Sequence, residues 1–163
     1  MSAASFTVRV EVLVAQRDPS NEEVTVLQIE DDGAWRLPGT IVSSWTDVPN
    51  AARLALAAET GLDLRLARIL ALDEATEPGH LVIIMDGGFV GPDRATLIGV
   101  MSGKVASLPN SRWASFDDLK DSPRRIGYAV AASYNDLPLP LLVDGMSDVE
   151  RWHTPTPSDP TAP

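Results

Sequence analysis

Few residues of this chain are suited to chemistry, and the candidate acids and bases lie in two short stretches. Glu74 and His80 belong to an acidic stretch, residues 73–80, in which a histidine beside carboxylates can transfer protons near neutral pH. Glu59 stands near the end of a predicted helix, where a carboxylate can act as a general base. We therefore predict Glu59, His80 and Glu74 as catalytic residues. The structural alternatives are a solvated acidic loop and, for Glu59, a helix-end carboxylate bonded to backbone or arginine.

Four residues earlier in the chain are predicted to bind a substrate: Arg36, Ser43, Trp45 and Thr46. Serine hydroxyls can hydrogen-bond phosphate oxygens. An indole face can stack on a planar ligand, which contributes about 1–3 kcal/mol when the ligand is a base. The alternative for Trp45 is a packing role, in which its ring fills space in the cleft. Serine is also common in loops that bind nothing, so Ser43 is the weaker candidate.

Composition argues against several classes of site and partner. The chain has 163 residues, a formal net charge of −10 and no cysteine. The absence of cysteine excludes disulfides, cysteine-ligated zinc, iron–sulfur clusters and a cysteine nucleophile. The negative charge argues against binding to nucleic acid or to an anionic membrane, and there is no run of about 18 apolar residues to span one. Because the N-terminal stretch lacks the basic region of a secretory signal, we expect a cytoplasmic protein.

The alternation of apolar and polar residues predicts one domain of mixed strands and helices over residues 1–152. Strands are predicted at residues 6–14, 24–29, 64–72, 81–90, 94–101 and 112–114, and residues 139–143 form a short apolar run. One helix is predicted from Asp47, a suitable N-cap, to Gly61, and a second helix begins at Ser122-Pro123. Residues 153–163 contain four prolines and are predicted to form an unstructured tail.

Two short motifs resemble the ends of the Nudix (MutT-like) motif. Trp35-Arg36-Leu37-Pro38-Gly39 is similar to the family's W-x-L-P-G-G. Ala58-Glu59-Thr60-Gly61-Leu62 is similar to the end of its R-E-x-x-E-E-T-G-L helix, and the spacing between the two motifs fits the family without a gap. The resemblance covers about residues 5–145. It implies a fold of the α/β class (α+β), a Nudix-like α/β/α sandwich around a mixed β-sheet.

The middle of the motif departs from the family. The resemblance implies a Mg²⁺ or Mn²⁺ site built from acidic residues at positions that Thr46, Ala55, Ala58 and Glu59 occupy here, and only Glu59 is acidic. Leu54 stands where the family has an arginine. Mg²⁺ is usually held by one or two carboxylates together with substrate phosphates. We therefore predict a degenerate Nudix motif with no metal site and no cofactor.

Three functions remain open at this stage. In the favoured one, the fold is repurposed to bind or transform a small metabolite without the magnesium cluster, by an acid/base step such as an isomerisation, cyclisation or lyase reaction. The second is a weak Mg²⁺-dependent pyrophosphohydrolase of a nucleoside-diphosphate-type substrate, the one case that needs Mg²⁺. The third is a non-enzymatic ligand sensor or dimeric structural module. The expected partner is a small molecule, with a homodimer possible because Nudix folds are often dimeric.

Deletion of residues 154–163 is expected to change the free energy of unfolding by less than about 0.5 kcal/mol, because an undocked terminus contributes little to stability. Chemical denaturation of the two chains measures the difference. Loss of a dimer in size-exclusion chromatography on deletion would contradict the prediction.

Overall fold

A computed structural model describes residues 7–17, 22–42, 47–66, 68–74, 79–104, 108–135 and 138–147, with only the backbone for 99–104. The predicted tail at 153–163 lies outside these residues, as does the predicted end of the domain. No helix within the described ranges is both long enough and apolar enough to cross a membrane.

The described chain contains both strands and helices. They are β1 (Thr7–Arg17), β2 (Val24–Asp31), β3 (Ala34–Arg36), β4 (Gly39–Val42), α1 (Val48–Thr60), β5 (Ile69–Glu74), β6 (His80–Val90), α2 (Pro92–Lys104), β7 (Ser111–Ala114), a short 3-10 helix (Asp118–Asp121), α3 (Arg124–Asn135), β8 (Leu141–Val143) and β9 (Met146–Ser147). The described strands form one sheet in the order β3-β2-β1-β6-β5-β8-β9, and in addition β4 pairs with β1 and β7 with β2. The sheet is mixed, because β1 and β6 are parallel, as are β5 and β8, whereas the other pairs are antiparallel.

The helices cover the two faces of this sheet. Successive residues of a strand point to opposite faces, so Val10 and Val12 of β1 pack with α1 and α2, whereas Leu13 and Ala15 pack with α3. Each face therefore has its own apolar core. The arrangement confirms the predicted α/β/α sandwich around a mixed sheet.

Residues 94–101, predicted as a strand, belong instead to α2. Pro92 occupies the first helical position, where its missing N–H costs little, and Asp93 places a negative charge in the first turn. Ala95 and Ile98 lie three residues apart and are both buried in the core, which is helical spacing. The strand prediction was wrong because packing of this helical face outweighs the local strand preference of the apolar residues.

Local signals set the ends of α1 and of two hairpins. Pro49 lies in the first turn of α1, and Gly61 ends the helix with φ +76° and an N–H bond to the carbonyl of Ala57. Asp47 occupies the N-cap position as predicted, but its side chain makes no capping hydrogen bond. The pairs Asp32-Gly33 and Asp144-Gly145 have positive φ and form two-residue hairpin loops between β2 and β3 and between β8 and β9.

The backbone of β4 approaches β1 so closely that position 39 requires glycine. Gly39 pairs with Glu11, and the N–H of Val12 donates to the carbonyl of Pro38 at 2.8 Å. A Cβ at position 39 would overlap the carbonyl oxygen of Val10 and lie 2.9 Å from the Cα of Glu11. Backbone atoms in paired strands cannot move aside as a side chain could, so glycine is needed for this contact.

Gly39→Ala is expected to lower the free energy of unfolding by about 2 kcal/mol or more, because the added methyl group overpacks two paired strands. Gly91→Ala is the matched control, since a Cβ there would meet none of the described residues within 4 Å. The control is expected to change stability by less than about 1 kcal/mol. Urea denaturation measures both variants, and equal stabilities would contradict the assignment of Gly39 as a sterically required residue.

Candidate functional site

The carboxylate of Glu59 joins α1 to the bend between β3 and β4. Its Oε1 accepts a hydrogen bond from Nη2 of Arg36 at 2.7 Å, and its Oε2 accepts one from the backbone N–H of Gly39 at 2.9 Å. Both side chains are mostly buried, with 21% of Glu59 and 24% of Arg36 exposed. Charge-assisted hydrogen bonds of this kind are stronger than neutral ones, so the carboxylate is firmly held.

Arg36 is shared between two carboxylates. Its Nε donates to Oδ2 of Asp31 at 2.6 Å, and its Nη1 donates to the carbonyl of Leu37 at 3.0 Å, in addition to the bond with Glu59. Burial by itself lowers the pKa of Arg36, but its hydrogen bonds to Glu59 and Asp31 outweigh this effect, so its pKa lies above the ordinary value. The predicted substrate-binding arginine is thus already bonded at three of its nitrogens.

The exposed positions of α1 carry apolar side chains. Ala55 is half-buried, Ala58 is exposed and 54% of Leu54 is exposed. Leu56 and Ala52, three and seven residues before Glu59, are fully buried against the sheet. An apolar helix surface that stays exposed differs from the usual amphipathic pattern, in which the solvent side is polar.

The other two predicted catalytic residues lie at a different place. Glu74 ends β5 and pairs with Leu81, and His80 begins β6 beside Thr7. His80 is beside Thr7 of β1, whereas Gly39, which is bonded to Glu59, is beside Glu11 of the same strand. The four residues from Thr7 to Glu11 span roughly 13 Å along the strand. The fold therefore brings Glu59 and Arg36 together but does not bring Glu74 and His80 to them.

The remaining predicted substrate-binding residues, Ser43, Trp45 and Thr46, lie outside the described part of the chain. Their roles stay predictions.

A buried cluster of charges on the other face of the sheet was not predicted from the sequence. Glu11 on β1 accepts hydrogen bonds from Arg9 at 3.0 Å and from Nη2 of Arg125 at 3.3 Å. Asp73 accepts the N–H of Gly145 at 2.8 Å and lies 3.8 Å from Nη1 of Arg125. Both carboxylates are only 3% exposed. The cluster balances two positive and two negative charges, which limits the cost of burying them.

One sequence signal could have indicated this cluster. Glu11 interrupts the apolar strand Val8–Val14, and an acid at such a position is rarely buried without a partner. The partner, Arg125, could not be assigned from the sequence because 114 residues separate it from Glu11.

A second network connects Trp35 to Arg112, Gln28 and Ser122. The guanidinium of Arg112 lies 4.4 Å above the ring of Trp35, and its Nε and Nη2 donate to Oε1 of the fully buried Gln28 at 3.0 and 2.8 Å. The amide of Gln28 in turn donates to the hydroxyl of Ser122 at 3.2 Å. The two hydrogen bonds to Gln28 hold Arg112 in place above the ring of Trp35. The cation–π contact therefore gives Trp35 a structural role.

No protein family's sequence model matches the chain, and no curated protein sequence matches it significantly. Solved structures do match. An ADP-ribose pyrophosphatase from Streptococcus suis is 19% identical, with a TM-score of 0.60 over 84% of this chain and 98% of that one. A MutT protein from Methanosarcina mazei is 18% identical, with a TM-score of 0.57 over 84% of this chain and all of that one.

The Nudix domain of Shewanella oneidensis NrtR, solved with ADP ribose, is also similar. It is 14% identical, with a TM-score of 0.57 over 83% of this chain and 90% of that domain. Identities this low carry information on the fold alone. Together with the three-layer architecture and the two flanking motifs, these likenesses show that the chain has the Nudix fold.

Proposed function

We propose that this chain uses the Nudix fold to bind a small metabolite without the family's divalent-metal cluster. One observation carries the proposal: both oxygens of Glu59, the acid that matches the family motif, are bonded to Arg36 and to the backbone of Gly39. A carboxylate engaged in this way is a structural clamp. Each of its oxygens already uses one of its two lone pairs in these bonds, so less of the carboxylate is available to a metal ion.

The other described residues do not fit a magnesium ion. Among them, no group of three or more His, Cys, Asp or Glu side chains is placed to hold a metal. Mg²⁺ binds hard oxygen ligands in near-octahedral geometry and gives up its water reluctantly. The methyl groups of Ala55 and Ala58 offer it no ligand, so these positions support binding without a metal.

The chemistry of the α1 surface suits a ligand with an apolar part. Leu54 and Ala58 are exposed on α1, the same helix that carries Glu59 of the charged Asp31–Arg36–Glu59 chain. Small-molecule sites commonly combine apolar walls with a few fixed polar groups. Reactions that such a site could promote are acid/base steps, such as an isomerisation, cyclisation or lyase reaction. Glu59 is the predicted acid or base at this surface, whereas Glu74 and His80 lie elsewhere in the fold.

Millimolar Mg²⁺ or Mn²⁺ is expected to shift the melting temperature by no more than about 1 °C, because a weak site stays largely unfilled at that concentration. A panel of nucleoside diphosphates, ADP-ribose and small organic acids should contain at least one compound that gives a saturable shift without added metal. Differential scanning fluorimetry measures both effects.

The same panel separates the alternatives. Turnover of a nucleotide that depends on Mg²⁺ would contradict the proposal and favour a pyrophosphohydrolase. If no compound shifts the melting temperature and native mass spectrometry finds no retained metabolite, a purely structural module is favoured instead.

Restoring the missing acids should create metal binding. Residues 55, 58 and 59 share one face of α1, and the resemblance to the family implies that position 46 belongs to the same site. Thr46→Glu, Ala55→Glu and Ala58→Glu, combined with Leu54→Arg, are therefore expected to place an acidic cluster around Glu59. We expect this variant to bind Mn²⁺ or Mg²⁺ in calorimetry, whereas the parent does not. It should also be less stable without metal, because neighbouring carboxylates repel one another.

The matched control replaces the same three positions with glutamine and keeps Leu54→Arg, so that size changes without the negative charge. Metal binding by the control would point to ligands other than the introduced acids. Absence of binding in a glutamate variant that remains folded would contradict the alignment of these residues with the family motif.

A further inference from the structure

A cavity of about 310 Å³ lies where the C-terminal end of α1 meets the first turns of α2. It is lined by residues 60–63, at and just after the end of α1, and by Arg94, Leu97 and Ile98 of α2. Sites for small ligands have volumes of about 300–1,000 Å³, so this cavity is large enough for a small metabolite. Glu59 is not among the residues that line it.

Part of the cavity wall is apolar. Leu62 and Ile98 are buried and belong to the core between the sheet and the helices α1 and α2. Leu97 precedes Ile98 on α2, and more than half of its side chain is exposed. An aliphatic group in the cavity would cover the exposed part of Leu97, and burial of apolar surface on both partners favours binding.

Arg94 supplies a positive charge to the cavity. The residue is exposed, and its guanidinium makes no hydrogen bond or ion pair with the part of the chain that the structure describes. Arg36 and Arg53, in contrast, are each bonded to a carboxylate. An unpaired guanidinium keeps its planar set of N–H donors for a ligand, and a carboxylate fits that set with two parallel hydrogen bonds.

The α1 side of the cavity supplies negative charge. Oδ1 of Asp63 accepts a hydrogen bond from Arg53 at 2.6 Å, whereas its Oδ2 bonds to none of the described residues. The end of a helix is also its negative pole, because the last carbonyls have no helical N–H partner. The N–H of Gly61 binds the carbonyl of Ala57, which leaves the later carbonyls of α1 without a partner in the helix. An ammonium group suits these acceptors.

We propose that this cavity binds an aliphatic α-amino acid in its zwitterionic form. The carboxylate of the ligand binds Arg94, and its ammonium group binds Oδ2 of Asp63 and the end of α1. The aliphatic side chain packs on Leu62, Leu97 and Ile98. A ligand with a single charge would leave one of the two charged groups without a partner. The proposal is independent of the function proposed for the surface around Glu59, because the two sites share no binding group.

Ligands that lack one group each test the proposal on the full chain. L-leucine has all three groups, whereas 4-methylpentanoate lacks the ammonium, 3-methylbutylamine lacks the carboxylate and glycine lacks the side chain. We expect leucine to raise the melting temperature by about 3 °C at ten times its dissociation constant. The other three compounds are expected to bind at least tenfold more weakly, because a charge-assisted hydrogen bond or a buried aliphatic group is commonly worth that factor.

Two outcomes of these titrations would overturn the proposal. If 4-methylpentanoate binds as tightly as leucine, the cavity is a simple anion site. If leucine, isoleucine, valine and methionine all fail to give a saturable shift at millimolar concentration, the cavity does not bind this class of ligand.

Arg94→Gln tests the carboxylate contact. The variant is expected to bind leucine at least tenfold more weakly than the parent and 3-methylbutylamine equally well, because the amine has no carboxylate to lose. Arg17→Gln is the matched control, since Arg17 is also exposed but does not line the cavity, and it should bind leucine like the parent. Unchanged leucine binding in the Arg94 variant, or equal loss in both variants, would overturn the proposal.

NMR spectroscopy shows where the ligand binds. The amide signals of Gly61 and Leu97 are expected to move when leucine is added to the full chain. The signal of Gly127 is expected to stay, because α3 packs on the other face of the sheet. Movement of signals only at residues outside the cavity would overturn the proposal.

Discussion

The carboxylate of Glu59 is the interaction on which the rest of this structure depends. It fixes the end of α1 to the backbone of Gly39 and to Arg36, and through Arg36 it reaches Asp31 on β2. These bonds hold the bend between β3 and β4 in place, and the bend brings β4 against β1. Because this acid is needed for architecture, its availability for chemistry is limited.

A second set of buried charges joins α3 to the other face of the sheet. Glu11 and Asp73 hold Arg125 at the start of α3, and Asp73 also binds the backbone of Gly145 in the β8–β9 turn. Removing one member of a buried charge pair costs about 3–5 kcal/mol, because the remaining charge loses its partner. Each helical layer is thus anchored by arginine–carboxylate contacts, in addition to its apolar core.

The two anchors leave surfaces of different character. On the helix that carries Glu59, the exposed residues Leu54 and Ala58 are apolar. Close to Arg125, a groove of about 360 Å³ along the N-terminal half of α3 is lined by apolar side chains together with Lys120 and Arg124.

The sequence by itself determined the features that depend on neighbouring residues. Asp32-Gly33 and Asp144-Gly145 specify hairpin turns, Pro49 and Gly61 bound α1, and the motifs around residues 35–39 and 58–62 identified the fold. Only the tertiary structure decided which charges meet. Glu59 and Arg36 are 23 residues apart, and Glu11 and Arg125 are 114 apart, so their pairing depends on strand order and helix placement. The helix at 92–104 was decided in the same way, because burial of Ala95 and Ile98 against the sheet outweighs the strand preference of the local sequence.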